Sequence, residues 1–275
     1  KPWTYSITAL SHYRKFIEAN SDHYILAEKS DDIKRAKTTG KLAVAFDMEG
    51  MCCLNNDVSM VKLYYDLGVR QMNFAYNLNN SAGGGCHDTD IGLTKFGKDV
   101  VAEMNRVGMV IDCSHNSYQT TMEAMEISKD PIIFSHSNPR RIRDHERNIT
   151  DEQIKSCAKK GGVIGINGVY WFLDKEKHDI EMFVQHLDYV VQMVGSEHVG
   201  IGLDFVFEND SLLITHNTNN EFWPARQYKG RKMGYLPPES FPRIYEKLFK
   251  IGYSEKDIKL IFGGNFFRIS KLVWN

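Results

Sequence analysis

Several things are scarce in this 275-residue chain, and each scarcity closes off a class of function. No apolar run reaches the length needed to cross a bilayer as a helix, so no membrane span is expected. Charge of one sign is not in excess. The formal net charge of -1 gives no electrostatic case for nucleic acid or for an acidic membrane surface. Cysteine is sparse. The five cysteines form an odd set without a CxxC pair, which argues against a disulfide scaffold and leans toward a reducing, cytoplasmic setting. Internal repeats and low-complexity tracts are missing. The Gly-rich stretch "SAGGGCHD" lacks both GxGxxG and GxxxxGK[ST] spacing, so a phosphate cradle is set aside. Compartment is not readable from a chain that starts at Lys1 with neither a methionine nor a leader-like segment, and a processed or truncated start is allowed for.

What is present is alternation. Apolar runs at Lys41–Phe46, Val69–Tyr76, Met109–Cys113, Pro131–Ser135, Val163–Asn167 and His198–Asp204 read as buried strands. Between them lie helical patterns. One has apolar residues at Phe96, Val100, Val101, Met104 and Val107, and another begins after a cap at Thr150. Strand-helix alternation with continuously apolar strands predicts a parallel sheet covered by helices. Six strands are countable and the first 40 residues read as helical. The sheet is therefore either open, or an eight-stranded barrel without its first one or two strands. Residues 205–237 break the pattern with an aromatic, polar insertion. Its Phe205, Phe207, Phe222, Trp223 and Tyr228 suit a pocket wall, a lid core or an oligomer contact.

The carboxyl ends of parallel strands share one rim, where ligands gather. On this chain the rim positions are Glu49, Tyr76, His115, His136, Asn167 and Asp204. Carboxylate, imidazole, imidazole and carboxylate are donors for a divalent transition metal, zinc above all. On that reading Glu49, His115 and His136 are ligands. Asp204 moves the proton when a metal-activated water attacks an amide. Each residue alone has a blander reading: a hydrogen-bonded strand-end histidine, a surface glutamate, a turn aspartate, a packing tyrosine. It is their joint placement that favours the metal. His12, His23, His178, His186 and His198 lie in or beside helical patterns and read as surface or core residues; His87 is ambiguous.

The chain resembles the membrane (renal-type) dipeptidase family, zinc peptidases of the amidohydrolase superfamily. The likeness is carried by "AFDMEG", "GLTKFGKDVVAEMNRVGMVIDCSH", "PIIFSHSNPR", "RNITDE", "GIGLDF" and "GYSEKDIKLIFGGNFFRI", which occur in that order from about residue 41 onward. The resemblance implies a (β/α)8 TIM-type barrel of the metal-dependent hydrolase kind, forming one domain over residues 1–275. It implies that Glu49 bridges two zinc ions, that His115 and His136 complete one of them, and that Asp204 acts on the water between them. It also implies that Arg147 takes the terminal carboxylate of a dipeptide or small amide; without it, Arg147 reads as a solvated member of the basic stretch with Arg140, Arg141 and Arg143. Two departures stand out. No His-x-Asp pair precedes Glu49, so only the His-His-Glu site is recognisable. Tyr76 stands where the family commonly has a substrate-contacting histidine. Alternatives are an amidohydrolase acting on acylated amino acids or cyclic amides, and a non-catalytic relative with a binding or maturation role. A homo-oligomer is allowed by the sequence but not indicated.

Overall fold

A computed structural model describes residues 2–174, 179–206, 222–228 and 234–274. Helix α1 (Pro2–Ala19) leads to β1 (Tyr24–Leu26), α2 (Ser30–Thr39) and β2 (Leu42–Val44). Next come β3 (Phe46–Glu49), α3 (Met60–Asp66), β4 (Val69–Asn73), α4 (Lys95–Val107) and β5 (Val110–Asp112). The series continues with α5 (Tyr118–Ile127), β6 (Ile133–Phe134), α6 (Asp151–Lys159), β7 (Val163–Asn167), α7 (Tyr170–Leu173), α8 (Ile180–Val194) and β8 (Val199–Gly202). Three further helices, Phe241–Lys250, Glu255–Lys259 and Asn265–Val273, close the chain.

All described strand pairs are parallel. Strands β3 to β8 follow one another in sequence order, and β1 pairs with β2. This is the α/β architecture expected, of the barrel type. The expected strand over Lys41–Phe46 needs correction. It is two strands separated by Ala45: β2 pairs with β1, and β3 pairs with β4 across a register shift at Phe46/Asp47. The first 40 residues are not all helical either. Strand β1 is only three residues long, too short for any period to show.

Local signals act as read. Thr150 caps α6 in a reciprocal box with Gln153, and Thr94 caps α4. The inner face of α4 is Val100, Val101, Met104 and Val107, all buried. Burying side chains of this size contributes roughly 1.5–3 kcal/mol each. All five residues of β7 are buried, as a strand covered on both faces must be. One close approach fixes the rim. A side chain at Gly202 would put a Cβ 1.9 Å from the Ser135 carbonyl oxygen. The glycine therefore lets the end of β8 lie against the end of β6, beside His136.

Candidate metal centre

Register sets the levels. Glu49 stands opposite Asn73, and Asn73 opposite Asp112. Asn73 ties this rim together, accepting from the Gly50 amide and donating to the Ser114 carbonyl at 3.2 Å. The chain then turns sharply where chemistry is needed. Asn77, His115 and Asp204 all have left-handed backbones, with φ of 64°, 69° and 55°. Such conformations cost about 1–3 kcal/mol each outside glycine and persist where the surroundings enforce them.

His115, His136 and Glu49 come together. His115 Nε2 and His136 Nε2 are 2.9 Å apart. Glu49 Oε1 lies 3.2 Å from the first and 3.3 Å from the second. The other ring nitrogens settle the tautomers. His115 Nδ1 is 2.7 Å from Asn77 Oδ1, an acceptor, so Nδ1 carries the hydrogen. Asn77 is oriented in turn by its amide, which donates to the Phe222 carbonyl at 2.9 Å. His136 Nδ1 is 2.6 Å from Ser135 Oγ, whose own hydrogen goes to Asp112 Oδ2. So His136 Nδ1 also donates. The two Nε2 atoms and a carboxylate oxygen then converge on one point, an arrangement suited to a cation, whether a proton or a metal ion. Among the described residues, this is the one group of three such side chains with ligand atoms within 4.8 Å of one another.

Burial opposes ionisation of both imidazoles. For His115 the nearby Arg147 charge adds to burial, and its pKa falls well below the usual value. For His136 the Asp204 and Glu49 carboxylates outweigh burial and push it up to about 9. Burial also opposes the Glu49 anion, yet the two imidazoles hold its pKa well below the carboxylate range. The Glu49 side chain keeps 38% of its surface open, so the site is reachable from solvent.

Asp204 stands beside this centre. Asn167 Nδ2 donates to its Oδ2 at 3.1 Å. Burial, reinforced by Glu49, raises its carboxyl pKa against the pull of His136 and Arg147. Tyr76 stacks on His115 with ring centroids 4.2 Å apart, and Phe222 and Trp223 both lie 6.1 Å from it. Arg147 is buried, its guanidinium over Phe172 at 5.2 Å, with one hydrogen bond to the His136 carbonyl at 3.4 Å. Its Nε has no hydrogen-bond partner among the described residues. Of the insertion aromatics, Phe222 and Trp223 reach Tyr76, whereas Phe207 lies outside the described residues, as does His178. His87 is buried against Glu146 and Tyr228.

Asn77, Asp112 and Ser135 orient His115 and His136 and were missed in the sequence; their one signal is a polar residue beside a candidate ligand. The Gly-rich loop also finds its reason here. A Cβ on Gly85 would sit 2.2 Å from the Asn77 backbone, so the loop is glycine-rich to press against the segment that carries Asn77.

Residues 5–211 match the family described as membrane dipeptidase, peptidase family M19. The chain belongs to this family. Dipeptidase tcpJ of Claviceps purpurea is 29% identical over 265 residues, which cover 94% of this chain and 58% of that protein. Dipeptidase verJ of Clonostachys rogersoniana is 31% identical over 259 residues, 92% of this chain and 61% of that one. An amidohydrolase from Pseudomonas aeruginosa superposes with a TM-score of 0.91 at 30% identity, over 98% of this chain and 85% of its own. Thus the chain spans about half to three-fifths of the curated dipeptidases it matches. The His-His-Glu group fits a metal ion. No described helix is long and apolar enough to cross a membrane.

Proposed function

We propose that the protein is a metal-dependent dipeptidase, that its ion is zinc, and that residues 1–275 act as one barrel domain with an insertion at about 205–237. The observation that carries this is the convergence of His115 Nε2, His136 Nε2 and Glu49 Oε1 on one point, within 2.9–3.3 Å of one another. Two imidazole nitrogens and one carboxylate oxygen suit zinc and leave room for water and substrate. When bound, such an ion brings the pKa of water toward neutrality and polarises the carbonyl under attack. The names of the relatives tcpJ and verJ support the substrate class.

The chain's own residues do the rest. Asp204, with Oδ2 engaged by Asn167, takes the proton of the attacking water on Oδ1 and passes it to the departing amine. Its raised pKa suits a carboxylate that must hold a proton for part of the cycle. Arg147 offers a planar two-pronged donor to the terminal carboxylate of the dipeptide. Tyr76, held flat against His115, forms a wall of the site.

The test is metal analysis of the full-length protein together with a substrate panel. Bound zinc with release of amino acids from dipeptides is expected. Zinc with turnover of acylated amino acids but not of dipeptides would replace this reading with the amidohydrolase one. Protein that binds no metal would leave only a non-catalytic role.

A further inference from the structure

A second buried polar group lies outside the metal centre. The His87 side chain is fully enclosed. Its Nδ1 is 2.7 Å from Glu146 Oε2, and its Nε2 is 2.7 Å from the Tyr228 hydroxyl. Arg226 donates to both Glu146 oxygens, from Nε at 2.8 Å and from Nη2 at 2.9 Å. The same Nη2 also donates to the His87 carbonyl at 2.7 Å. Glu146 is acceptor-only when ionised, so His87 Nδ1 carries the hydrogen and Nε2 accepts from Tyr228. Three segments remote in sequence are thereby joined: the Gly-rich loop, the turn through residues 145–147, and the short helix Ala225–Tyr228 of the insertion.

The identity of the next residue gives this group its meaning. Glu146 immediately precedes Arg147, the buried guanidinium with no ion-pair partner among the described residues. Glu146 and Arg147 line one cavity together with His115, so a freed Glu146 carboxylate would compete for that guanidinium. Here both of its oxygens are already taken. Its pKa lies below the usual value because the hydrogen bonds from Arg226 and His87 outweigh the effect of burial.

We propose that Arg226 and His87 are positioning residues: by committing Glu146, they keep Arg147 open for a substrate carboxylate. The proposal rests on the dipeptidase reading, and it makes a prediction that a merely structural tie does not. Arg226→Ala releases Glu146 toward Arg147. Carboxylate binding then weakens roughly tenfold, the scale of one charge-assisted hydrogen bond. Removing the competitor as well, in Arg226→Ala/Glu146→Gln, restores much of the loss. A structural tie predicts the reverse, with the double variant at least as impaired as the single one.

The experiment uses the full-length, metal-loaded protein. Calorimetry measures binding of a phosphinate isostere of alanyl-alanine and of its C-terminal amide, alongside KM and kcat for alanyl-leucine. Arg226 is half exposed, and circular dichroism with metal content checks that each variant is folded and loaded. The expected result is that Arg226→Ala loses preference for the free carboxylate over the amide, raises KM more than it lowers kcat, and is rescued by Glu146→Gln. A single variant with unchanged preference, or a double variant worse than the single, overturns the proposal. So does a wild-type protein that binds acid and amide equally. Wild-type preference for the acid without any hydrolysis would instead sink the dipeptidase reading and leave this one standing.

Discussion

Asn77 Oδ1 accepts from His115 Nδ1 at 2.7 Å, and that contact decides which His115 nitrogen faces the metal centre. The carboxamide cannot donate from oxygen, so the ring is locked with its Nε2 lone pair pointing inward. Replacing Asn77 by glycine suits the left-handed backbone at this position, where φ is 64°, and removes only the side chain. Loss of such an orienting partner typically costs roughly 10–100-fold in metal affinity. Competition with a chelator of known affinity measures it. Affinity unchanged within twofold would show that His115 needs no orientation from Asn77.

Asp204→Asn separates metal binding from catalysis. The amide keeps the size of the carboxyl and can be held by Asn167, but it cannot take up a proton. Metal content should stay at the wild-type level, while turnover of a dipeptide falls by about 10²–10⁴-fold, the usual contribution of a positioned acid-base group. Near wild-type rates would remove Asp204 from proton transfer.

The sequence disclosed the rim because strand ends are easy to find. An apolar run followed by a polar residue marks where a parallel strand leaves the core, and Glu49, His115, His136 and Asp204 were all visible that way. Orienting groups were hidden for two reasons. Asn77 lies 38 residues from the histidine it holds, so no local spacing links them. Asp112 sits inside an apolar strand and is fully buried, where pattern reading sees only an interruption. The His87, Glu146, Arg226 and Tyr228 group joins residues up to 141 apart, and nothing in the chain order announces it. Strand β1 escaped for a different reason: three residues carry no period.

Thr150 tests the fold apart from the chemistry. Its hydroxyl accepts from the Gln153 backbone N–H at 3.3 Å, and Gln153 Oε1 accepts from the Thr150 backbone N–H at 2.9 Å. Thr150→Ala should destabilise the protein by about 0.5–2 kcal/mol, with metal content retained. Denaturant unfolding of the metal-loaded protein gives the number. A midpoint indistinguishable from wild type would mean that α6 holds its first turn without the cap.

The metal-free centre should respond to pH in a direction that the geometry fixes. Without a metal ion, His136 is pushed up to about 9 from its ordinary 6.5, the carboxylates of Asp204 and Glu49 outweighing burial. At neutral pH it therefore carries the proton that bridges toward His115 Nε2, and an incoming divalent ion must displace it. Binding should release a proton, and affinity should rise with pH by at most about tenfold per unit up to the region of pH 9. Stability moves the opposite way. A pKa raised in the folded state contributes fully below the unfolded value of 6.5 and fades as pH climbs through about 9. The unfolding temperature of the metal-free protein should therefore fall across that window, and His136→Gln should flatten the fall. Calorimetry in buffers of different ionisation enthalpy counts the protons released on zinc binding. No release at neutral pH, or an unfolding temperature that rises from pH 6.5 to 9 in the metal-free wild type but not in His136→Gln, would show that no proton occupies the gap between the two imidazoles.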